Sequence, residues 1–402
     1  MGATPISRDD ILAARAAGAA YVKHTPITES AALTASCGGN VVVKAESLQR
    51  TGSFKIRGAM NKVASLGDAA RTGVVAGSAG NHAQAIAFAA QVNGIACEIF
   101  VPAGASLSKI AACRAYGATI SEGGDSLDNA VAMARERAAS TGMNFCHPYD
   151  DPAVVAGQAT LGLELIEDVP DLRTVVIPLG GGGLAGGTAI ALKLHDPSIR
   201  VIGVQVSACA PYANTPAPEG PVVTLADGIA VKKPGAVTRP IVEEYLDDIV
   251  VVEEDDVADA MILLMERGKL LVEGAGAVGA SALMRGLVKP ATSGITCVVL
   301  SGGNVDLGLV PGLVRRHETQ AGRRLLLFAR IPDRPGGLAQ LLTLLAAAGA
   351  NLIEVEHVRE GVDLHVRETG VQIVLETRGA DHADSVVDAA RRAGYEVEEL
   401  RR

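Results

Sequence analysis

A lysine in the segment Glu46–Met60 (ESLQRTGSFKIRGAM) is the first side chain of this sequence that could carry out chemistry. Lys55 follows a turn that contains Gly52 and opens an apolar run with helical spacing, so it is expected at a helix N-terminus. The positive end of a helix dipole disfavours an ammonium group there, and a lysine with a lowered pKa readily forms Schiff bases with carbonyl compounds. Taken alone, a solvated surface lysine is the more common explanation of such a residue.

Four successive glycines form a second candidate feature. Gly180, Gly181, Gly182 and Gly183 lie between an apolar strand pattern and a helical pattern that begins at Leu184. Backbone N–H groups and a helix dipole that converge on one point suit a phosphate group. No Gly-Lys-Ser/Thr follows, so the run is not a Walker A loop. The alternative is a tight strand-to-helix turn that needs small residues.

Two more polar turns follow predicted strands: Ser78–Gln84 (SAGNHAQ) and Ser301–Asn304 (SGGN). The first has backbone donors suited to a carboxylate, and the Asn81 amide could reach a neighbouring oxygen. It could also be an ordinary N-cap turn, with His82 as a hydrogen-bonded helix histidine. The carboxyl ends of parallel strands are where ligands bind in open α/β sheets. Together the four turns offer an amine, a phosphate cradle, a carboxylate cradle and a neutral hydroxyl, which pyridoxal phosphate and an amino acid require.

The elements that must position these turns alternate between strand and helix from about residue 40 to residue 315. The strands lack polar alternation, which is typical of a buried parallel sheet, so the fold class is α/β. Residues 45–148 are predicted to form a smaller subdomain. Residues 208–240 are rich in Pro, Ala and Gly and are predicted to be a long surface excursion.

The composition changes after the polar stretch HETQAGRR. The following residues indicate strand, helix, strand, strand, helix, strand, which is the βαββαβ order of a ferredoxin-like module. The predicted domains are therefore a catalytic domain over 1–320 and a smaller domain over 321–402.

The composition of the 402 residues also excludes some functions. Hydrophobic residues make up 48% and aromatic residues 3%, so the core is expected to be aliphatic. A net charge of −9 argues against nucleic-acid or anionic-membrane partners. Six scattered cysteines without C-x-x-C spacing are expected to be reduced. Without a signal pattern or a long apolar run, the protein is expected to be soluble and cytoplasmic.

The motifs S-F-K-x-R-G-A, S-A-G-N-H-A-Q, G-G-G-G-L and S-G-G-N, in this order, resemble the fold-type II pyridoxal-phosphate family. Within it the sequence is similar to the threonine/serine dehydratase and serine racemase branch, over residues of about 10–315. The resemblance implies a two-subdomain fold with parallel-sheet cores. It also implies these roles: Lys55 as Schiff-base lysine, Phe54 packing at the cofactor ring, Asn81 bonding the ring hydroxyl, Gly180, Gly181, Gly182, Gly183 and Leu184 holding the phosphate, Ser301 bonding the pyridine nitrogen, and Ser78, Gly80, Asn81 and His82 holding the substrate carboxylate.

The activity that this resemblance implies is the deamination of L-threonine to 2-oxobutanoate and ammonia, with L-serine to pyruvate as a further reaction. Lys55, once released from the cofactor, would take the α-proton. Ser301 is neutral and does not force the pyridine nitrogen to stay protonated, which favours prompt elimination. Racemases of the family have a second serine where Ala79 stands here, so elimination is expected rather than racemisation.

A divalent metal is not expected. The metal site common in this branch uses a Glu where the sequence has Gln205, and a neutral amide is a poorer ligand for a hard cation. Monovalent-cation binding stays open.

The C-terminal module is similar to ACT domains through Asp333–Leu338 and Gly349–Glu354. This similarity implies that Gly349 and Asn351 lie beside an amino-acid effector, for which the branched-chain residues isoleucine and valine are candidates. It also implies a homodimer or homotetramer. The alternative is a plain oligomerisation module.

Other functions stay open at this point. A serine dehydratase, a serine racemase or a β-replacement enzyme would share the lysine and glycine turns. A non-catalytic amino-acid sensor would need only the C-terminal module. The sequence contains no residue that decides between threonine and serine, which differ by one methyl group worth about 1 to 3 kcal/mol in a pocket.

Overall fold

The computed structural model describes residues 6–216, 218–360 and 363–400. The chain forms two compact units, Met1–Asp306 and Leu307–Arg402. The elements of the first unit are, in chain order, α1 (Arg8–Gly18), β1 (Ile27–Glu29), α2 (Ala31–Cys37), β2 (Val41–Ala45), α3 (Lys55–Ser65), β3 (Val74–Gly77), α4 (Asn81–Val92), β4 (Cys97–Val101), α5 (Leu107–Ala115), β5 (Thr119–Glu122), α6 (Leu127–Thr141), β6 (Asn144–Phe145), α7 (Pro152–Asp168), β7 (Leu172–Pro178), α8 (Gly183–His195), β8 (Arg200–Val206), α9 (Thr238–Tyr245), β9 (Asp248–Val252), α10 (Glu254–Glu266), α11 (Gly274–Met284) and β10 (Ile295–Leu300).

The larger sheet of this unit has six strands in the order β1-β2-β10-β7-β8-β9. Only β1 pairs antiparallel, at the edge, and this strand was not expected from the sequence. Every residue of β2 is buried, and β7, β8 and β10 are nearly so, because their Val- and Ile-rich sequences are covered on both faces. The carboxyl ends of the neighbours β2, β10 and β7 therefore lie side by side.

The smaller sheet has four parallel strands in the order β5-β4-β3-β6. Its strands and helices fall between residues 74 and 145, so the polar turn that begins at Ser78 leaves the carboxyl end of β3. The parallel α/β architecture that the sequence predicts is confirmed for both sheets.

Helix α3 is held in place by a buried ion-pair cluster. The Arg57 guanidinium pairs with Glu46 at 2.7 Å and with Glu164 at 2.6 Å. The ammonium group of Lys44 lies 2.7 Å from Glu164. The paired carboxylates keep the pKa of Arg57 raised in spite of its burial. The cluster thus ties α3, whose first residue is Lys55, to α7 and to the segment after β2.

The prediction of a surface excursion over residues 208–240 is wrong in part; Ala217 within it lies outside the described residues. Cys209, Ala210, Ala226 and Ile229 are buried, with Ile229 only 5% exposed. The segment contains two short 3-10 helices. Small residues and prolines are typical of a solvated loop, but this segment packs at the end of the larger sheet, where Ile229 lies against Gly180.

The second unit comprises α12 (Val310–Gln320), β11 (Arg324–Pro332), α13 (Gly337–Ala347), β12 (Asn351–Val358), β13 (Glu368–Glu376), α14 (Ala380–Arg392) and β14 (Glu396–Glu399). The order from β11 to β14 confirms the predicted βαββαβ pattern, and the four antiparallel strands lie in the order β12-β13-β11-β14. The stretch HETQ, which the sequence suggested as a polar connection, is helical because it continues the amphipathic helix α12, whose Leu313 is buried.

Each sheet has its own hydrophobic core, and these cores consist mainly of Ala, Val, Leu and Ile, as the composition predicts. All six cysteines are free thiols, five of them buried. Over the described ranges, the structure contains no helix with the length and hydropathy of a membrane span.

Candidate active site

Lys55 is the first residue of α3, as the sequence predicts. The N–H of Phe54 donates to the carbonyl of Ser301 at 3.0 Å, which ties the turn before the helix to the end of β10. The Nζ of Lys55 donates to the carbonyl of Pro148 at 2.8 Å and lies 5.1 Å from the centre of the Phe54 ring. Burial lowers the pKa of Lys55 to about 8, and the carboxyl group of Glu273 partly opposes this shift. The amine is therefore a usable nucleophile near neutral pH.

The glycine loop after β7 is a cradle that even one methyl group would fill. A Cβ added at Gly180 would lie 2.9 Å from the Cα of Ile229, and one at Gly181 would lie 2.2 Å from the Cγ of Tyr149. Gly182 has a φ of 90°, in the left-handed region that favours glycine. The close approach of Tyr149 and Ile229 explains why side chains are excluded here.

Helix α8 begins at Gly183 within this loop, and Leu184 is buried in its first turn. The carbonyl of Gly181 accepts hydrogen bonds from Thr238 Oγ1 at 2.6 Å and from the Tyr212 hydroxyl at 3.4 Å. The loop carbonyl is thus turned toward the protein, at a helix N-terminus whose positive end favours an anion.

Asp150 holds the segment that supports the glycine loop. Its carboxylate accepts backbone hydrogen bonds from Ala236 at 2.9 Å, Val237 at 2.7 Å and Thr238 at 3.1 Å. These bonds cap the start of α9 and place Thr238 against Gly181. No role for Asp150 follows from the sequence alone, because its partners lie more than 80 residues away in the chain.

The turn after β3 ends at Gly80, and α4 begins at Asn81. Ser78 Oγ accepts a hydrogen bond from the N–H of Gly80 at 3.2 Å, which closes the turn. The Nε2 of His82 lies 2.9 Å from the carbonyl of Cys146, to which it donates. Burial lowers the pKa of His82 to about 3, so the ring is neutral at pH 7. The side chain of His82 therefore has a structural partner at the start of α4.

The Asn81 side chain links the turns at two strand ends. Its Nδ2 donates to Glu273 Oε1 at 2.7 Å, and its Oδ1 accepts from Asn304 Nδ2 at 2.7 Å. Asn304 belongs to the turn after β10 that also contains Ser301, which is buried. The structure therefore brings the Ser78 turn of the smaller sheet to the Ser301 turn of the larger sheet.

Glu273 is a residue of this site that the sequence did not reveal. It precedes α11, its N–H donates to the carbonyl of Gly302 at 3.0 Å, and a Cβ at Gly302 would lie 2.2 Å from its Oε1. Burial, followed by repulsion from Asp227, raises the pKa of Glu273 to about 7, while Asn81 and Lys109 oppose the shift. In the sequence this glutamate precedes a Gly/Ala-rich helix and resembles an ordinary residue at a helix start.

The chemistry of these groups matches one cofactor. A nucleophilic lysine suits an aldehyde, the glycine loop at a helix N-terminus suits a phosphate, and the Asn81 amide suits a ring hydroxyl. A family model described as "Pyridoxal-phosphate dependent enzyme" matches residues 19–302 of the chain.

The chain belongs to this family. Its cofactor is pyridoxal 5′-phosphate. Over 399 residues it is 41% identical to the L-threonine ammonia-lyase of Thermotoga maritima, with 98% of this chain and 99% of that protein covered.

Solved structures of the pyridoxal-phosphate family resemble this chain in fold as well. The structure of maize serine racemase matches with a TM-score of 0.72 and 33% identity, covering 79% of this chain and 99% of that one. A threonine deaminase from T.th. matches with a TM-score of 0.69 and 38% identity, covering 75% of this chain and 99% of that one. The resemblance to a fold-type II pyridoxal-phosphate enzyme is thereby confirmed.

Gln205 has a structural position in this pyridoxal-phosphate enzyme. Its buried amide donates to the carbonyl of Leu179 at 3.2 Å and accepts from the N–H groups of Tyr212 at 3.0 Å and Ala213 at 3.2 Å. It thereby fixes the turn that brings the Tyr212 hydroxyl to the glycine loop. Among the described residues, no group of three His, Cys, Asp or Glu side chains is arranged to hold a metal ion. That the enzyme uses no divalent metal stays a prediction.

The residues suggested for effector binding lie in the second unit. Gly349 has a φ of +85° after α13, and Asn351 begins strand β12. The Nδ2 of Asn351 donates to Glu376 at 3.0 Å, on the neighbouring strand β13. The two residues thus lie at one strand-helix turn beside the sheet edge.

Proposed function

We propose that this protein is a threonine ammonia-lyase that converts L-threonine to 2-oxobutanoate and ammonia. The observation that carries this proposal is the amine of Lys55, which has a pKa lowered to about 8, next to the bond between Phe54 and Ser301 and next to the Pro148–Tyr149 segment that packs on the glycine loop. The end-to-end similarity to the L-threonine ammonia-lyase of Thermotoga maritima supports the substrate. The free thiols agree with a cytoplasmic enzyme.

Lys55 has two tasks in this proposal. Its amine would hold the aldehyde group of the cofactor in the resting enzyme, and the same amine, when free, would take the α-proton of the substrate. The bound cofactor supplies an electron sink that makes this proton removable. A pKa of about 8 leaves an appreciable fraction of the amine neutral at pH 7 to 8, as a general base requires.

The glycine loop and Ser301 hold the two ends of the cofactor ring in this proposal. Gly180–Gly183 and Leu184 bind the phosphate at the start of α8, and Phe54 packs at the ring. Ser301, buried at the end of β10, offers its hydroxyl to the pyridine nitrogen. Asn81 donates to the ring hydroxyl.

The substrate carboxylate is bound by the turn from Ser78 to His82. Ser78 and Gly80 shape the turn, and Asn81 and His82 present backbone N–H groups at the start of α4. The carboxylate held there fixes Cα near Lys55. The β-hydroxyl then leaves as water, so the proton that it gains balances the proton lost from Cα, and the released enamine reacts with one water to give the 2-oxo acid and ammonia.

Elimination rather than racemisation is the proposed outcome because position 79 is alanine. A racemase needs a proton donor on the face of Cα opposite Lys55, and the methyl group of Ala79 cannot donate a proton. The neutral Ser301 hydroxyl also favours prompt elimination. L-Serine, which undergoes the same chemistry, is expected to give pyruvate.

The test is the release of oxo acid by the purified holoenzyme from L-threonine and, in parallel, from L-serine. 2-Oxobutanoate and ammonia in equal amounts are expected from threonine. D-Serine formation from L-serine, followed by chiral chromatography, should be undetectable. Inversion of L-serine at a rate comparable to deamination would contradict the argument from Ala79.

For the second unit we propose regulation. The sequence predicts a catalytic domain over residues 1–320, with its small subdomain at about 45–148, and an ACT-like regulatory domain over residues 321–402. The structure divides the chain after Asp306, so α12 joins the second unit. The βαββαβ order supports this assignment, together with the turn between Gly349 and Asn351. Isoleucine or valine would bind beside these residues in a homodimer or homotetramer.

The regulatory proposal is tested by titrating isoleucine, valine and, as a control, alanine into the holoenzyme. Calorimetric binding of a branched-chain amino acid together with a changed KM for threonine is expected. Binding that Asn351→Ala does not weaken, or no binding at all, would refute the effector site. Either result would leave the deaminase assignment unaffected.

A further inference from the structure

Asn304 is the last residue of the SGGN motif, and it has no role in the proposed reaction. Its Nδ2 donates to the carbonyl of Thr51 at 2.9 Å and to Asn81 Oδ1 at 2.7 Å. Gly52 makes room for it: the φ of Gly52 is +75°, and a Cβ there would lie 2.2 Å from Asn304 Oδ1. The segment before Lys55 is thus shaped around the Asn304 amide, which reaches across to the start of α4.

Glu273 holds the other end of the same Asn81 amide. Its Oε1 accepts from Asn81 Nδ2 at 2.7 Å, and its own backbone is tied to Gly302 at 3.0 Å. Glu273 is only 6% exposed, so water competes little for this bond. An ionised carboxylate only accepts hydrogen bonds, whereas the amide nitrogen of Asn304 only donates them.

These two partners leave Asn81 one orientation. Turning the amide by 180° would place its oxygen against the carboxylate of Glu273 and its NH₂ group against the NH₂ group of Asn304. One Nδ2 hydrogen is used by Glu273, and the second is available for a ligand.

We infer that Glu273 and Asn304 are positioning residues that fix the Asn81 amide with its Nδ2 toward the ring hydroxyl of pyridoxal phosphate. The inference rests on the proposed contact between Asn81 and that hydroxyl. A ring oxygen that carries negative charge gains from a donor and is repelled by a carbonyl oxygen, so the orientation of Asn81 affects how tightly the cofactor is held.

Whether Glu273 holds Asn81 in this orientation depends on whether its carboxyl group is ionised. Asp227 faces the carboxyl group from the 208–240 segment, Lys109 from α5 and Lys55 from α3, and together with burial they place its pKa at about 7. Above this pH the carboxylate accepts from Asn81. Below it the neutral group is a weaker acceptor for Asn81 Nδ2, so the bond that orients the amide weakens while the bond from Asn304 remains. Cofactor retention should therefore weaken as the pH falls through 7.

The test follows cofactor release from diluted holoenzyme through its visible absorbance, between pH 6 and pH 8.5. Glu273→Gln, which has nearly the same shape, should raise the dissociation constant about 10-fold at pH 8, since a charge-assisted bond is lost. In this variant the dissociation constant of the cofactor should depend less on pH near pH 7 than in the wild type. The pH dependence that remains is assigned to the titration of Lys55, which is present in both proteins.

Asn304→Ala should weaken cofactor binding about 5-fold, and Asn304→Ser, which keeps a donor, should recover part of the loss. Glu98→Gln is the matched control, because Glu98 bonds only to Ser121 and Arg137 in the described contacts of the smaller sheet. Thermal unfolding of each holoenzyme shows whether the variants are folded.

The decisive comparison uses Asn81→Ala. In that background Glu273→Gln and Asn304→Ala should each change cofactor affinity by less than about 2-fold, because their main effect passes through the amide that has been removed, and only the field of Glu273 at Lys55 and the bond from Asn304 to Thr51 remain. Losses that add to that of Asn81→Ala, or wild-type affinity in Glu273→Gln, would overturn the inference. Wild-type affinity in Asn81→Ala would overturn it as well, while deamination by the wild type would still support the proposed function.

Discussion

The catalytic turns of the first unit and strand β12 of the second unit expose their residues in opposite ways. Ser301 and Glu273 are 3% and 6% exposed, and their polar neighbours are held by partners inside the same unit. Leu352 and Ile353 on β12 are 42% and 56% exposed, on an edge strand of the sheet. The first region is pre-organised for a small cofactor, whereas the second presents an apolar edge of the kind that proteins cover with another chain.

Two glycine-to-alanine substitutions test whether the cofactor site of the first unit is pre-organised. Gly181→Ala adds a Cβ that would lie 2.2 Å from the Tyr149 ring, whereas a Cβ at Gly312 in α12 meets no atom within 4 Å. We expect Gly181→Ala to weaken cofactor binding about 10- to 100-fold through overpacking of the loop. Gly312→Ala should leave binding unchanged. Equal cofactor affinity in the two variants, measured by equilibrium dialysis, would refute the phosphate cradle.

Substitution of two arginines compares the contributions of a buried and an exposed ion pair to the free energy of unfolding. Arg57 is buried with Glu46 and Glu164, whereas Arg359 pairs with Asp333 at 2.8 Å at the surface of the second unit. Arg57→Ala should lower the free energy of unfolding by about 3 to 5 kcal/mol, because it leaves buried carboxylates unpaired.

Arg359→Ala should lower the free energy of unfolding by at most about 1 kcal/mol, since solvent already screens that pair. Urea denaturation of the two variants, analysed separately for each unit if two transitions occur, provides the measurement. Similar losses for Arg57→Ala and Arg359→Ala would contradict the difference in burial.

The pH dependence follows from Lys55. Its pKa of about 8 means that the neutral amine, which acts as the base, decreases as the pH falls. We expect kcat for L-threonine, which reports the substrate-bound enzyme in which the Lys55 amine is free, to rise with pH and level off above pH 8, and to fall about tenfold per unit well below it. A profile that is flat between pH 6 and pH 8 would show that a free Lys55 amine does not limit the reaction.

The smallest effect on turnover is expected at the exposed edge. Ile353→Lys should change the basal rate with threonine by less than about 2-fold, because the residue lies outside the catalytic unit. Light scattering should show weaker self-association, and the response to isoleucine should decrease. An unchanged assembly and response would show that copies of this chain do not associate through β12.

The sequence predicts the turns well because their signal is local. Ser78, Gly180 and Ser301 each follow a run of apolar or β-branched residues within two positions, and such runs become buried parallel strands; Lys55 instead opens its own helical pattern after β2. The βαββαβ order of the second unit was predictable for the same reason, since each element has its own pattern.

The supporting residues could not be predicted because their partners are distant in the chain. Asn81 lies 192 residues from Glu273 and 223 residues from Asn304. Neither spacing has a pattern, so the bonds exist only once the two sheets are in place. The buried part of 208–240 was missed for a related reason: Ala226 packs at Gly274, where α11 begins, and Ile229 packs at Gly180, and both of these partners are distant in the chain.

The most direct test of the central claim compares wild-type holoenzyme with Lys55→Ala. We expect the wild type to show a visible cofactor absorbance and to release 2-oxobutanoate from L-threonine, and Lys55→Ala to lose the band and at least about 1,000-fold in rate. Lys62→Ala, in the same helix, is the matched control and should keep both properties. Deamination by Lys55→Ala at a rate near that of the wild type would contradict the account.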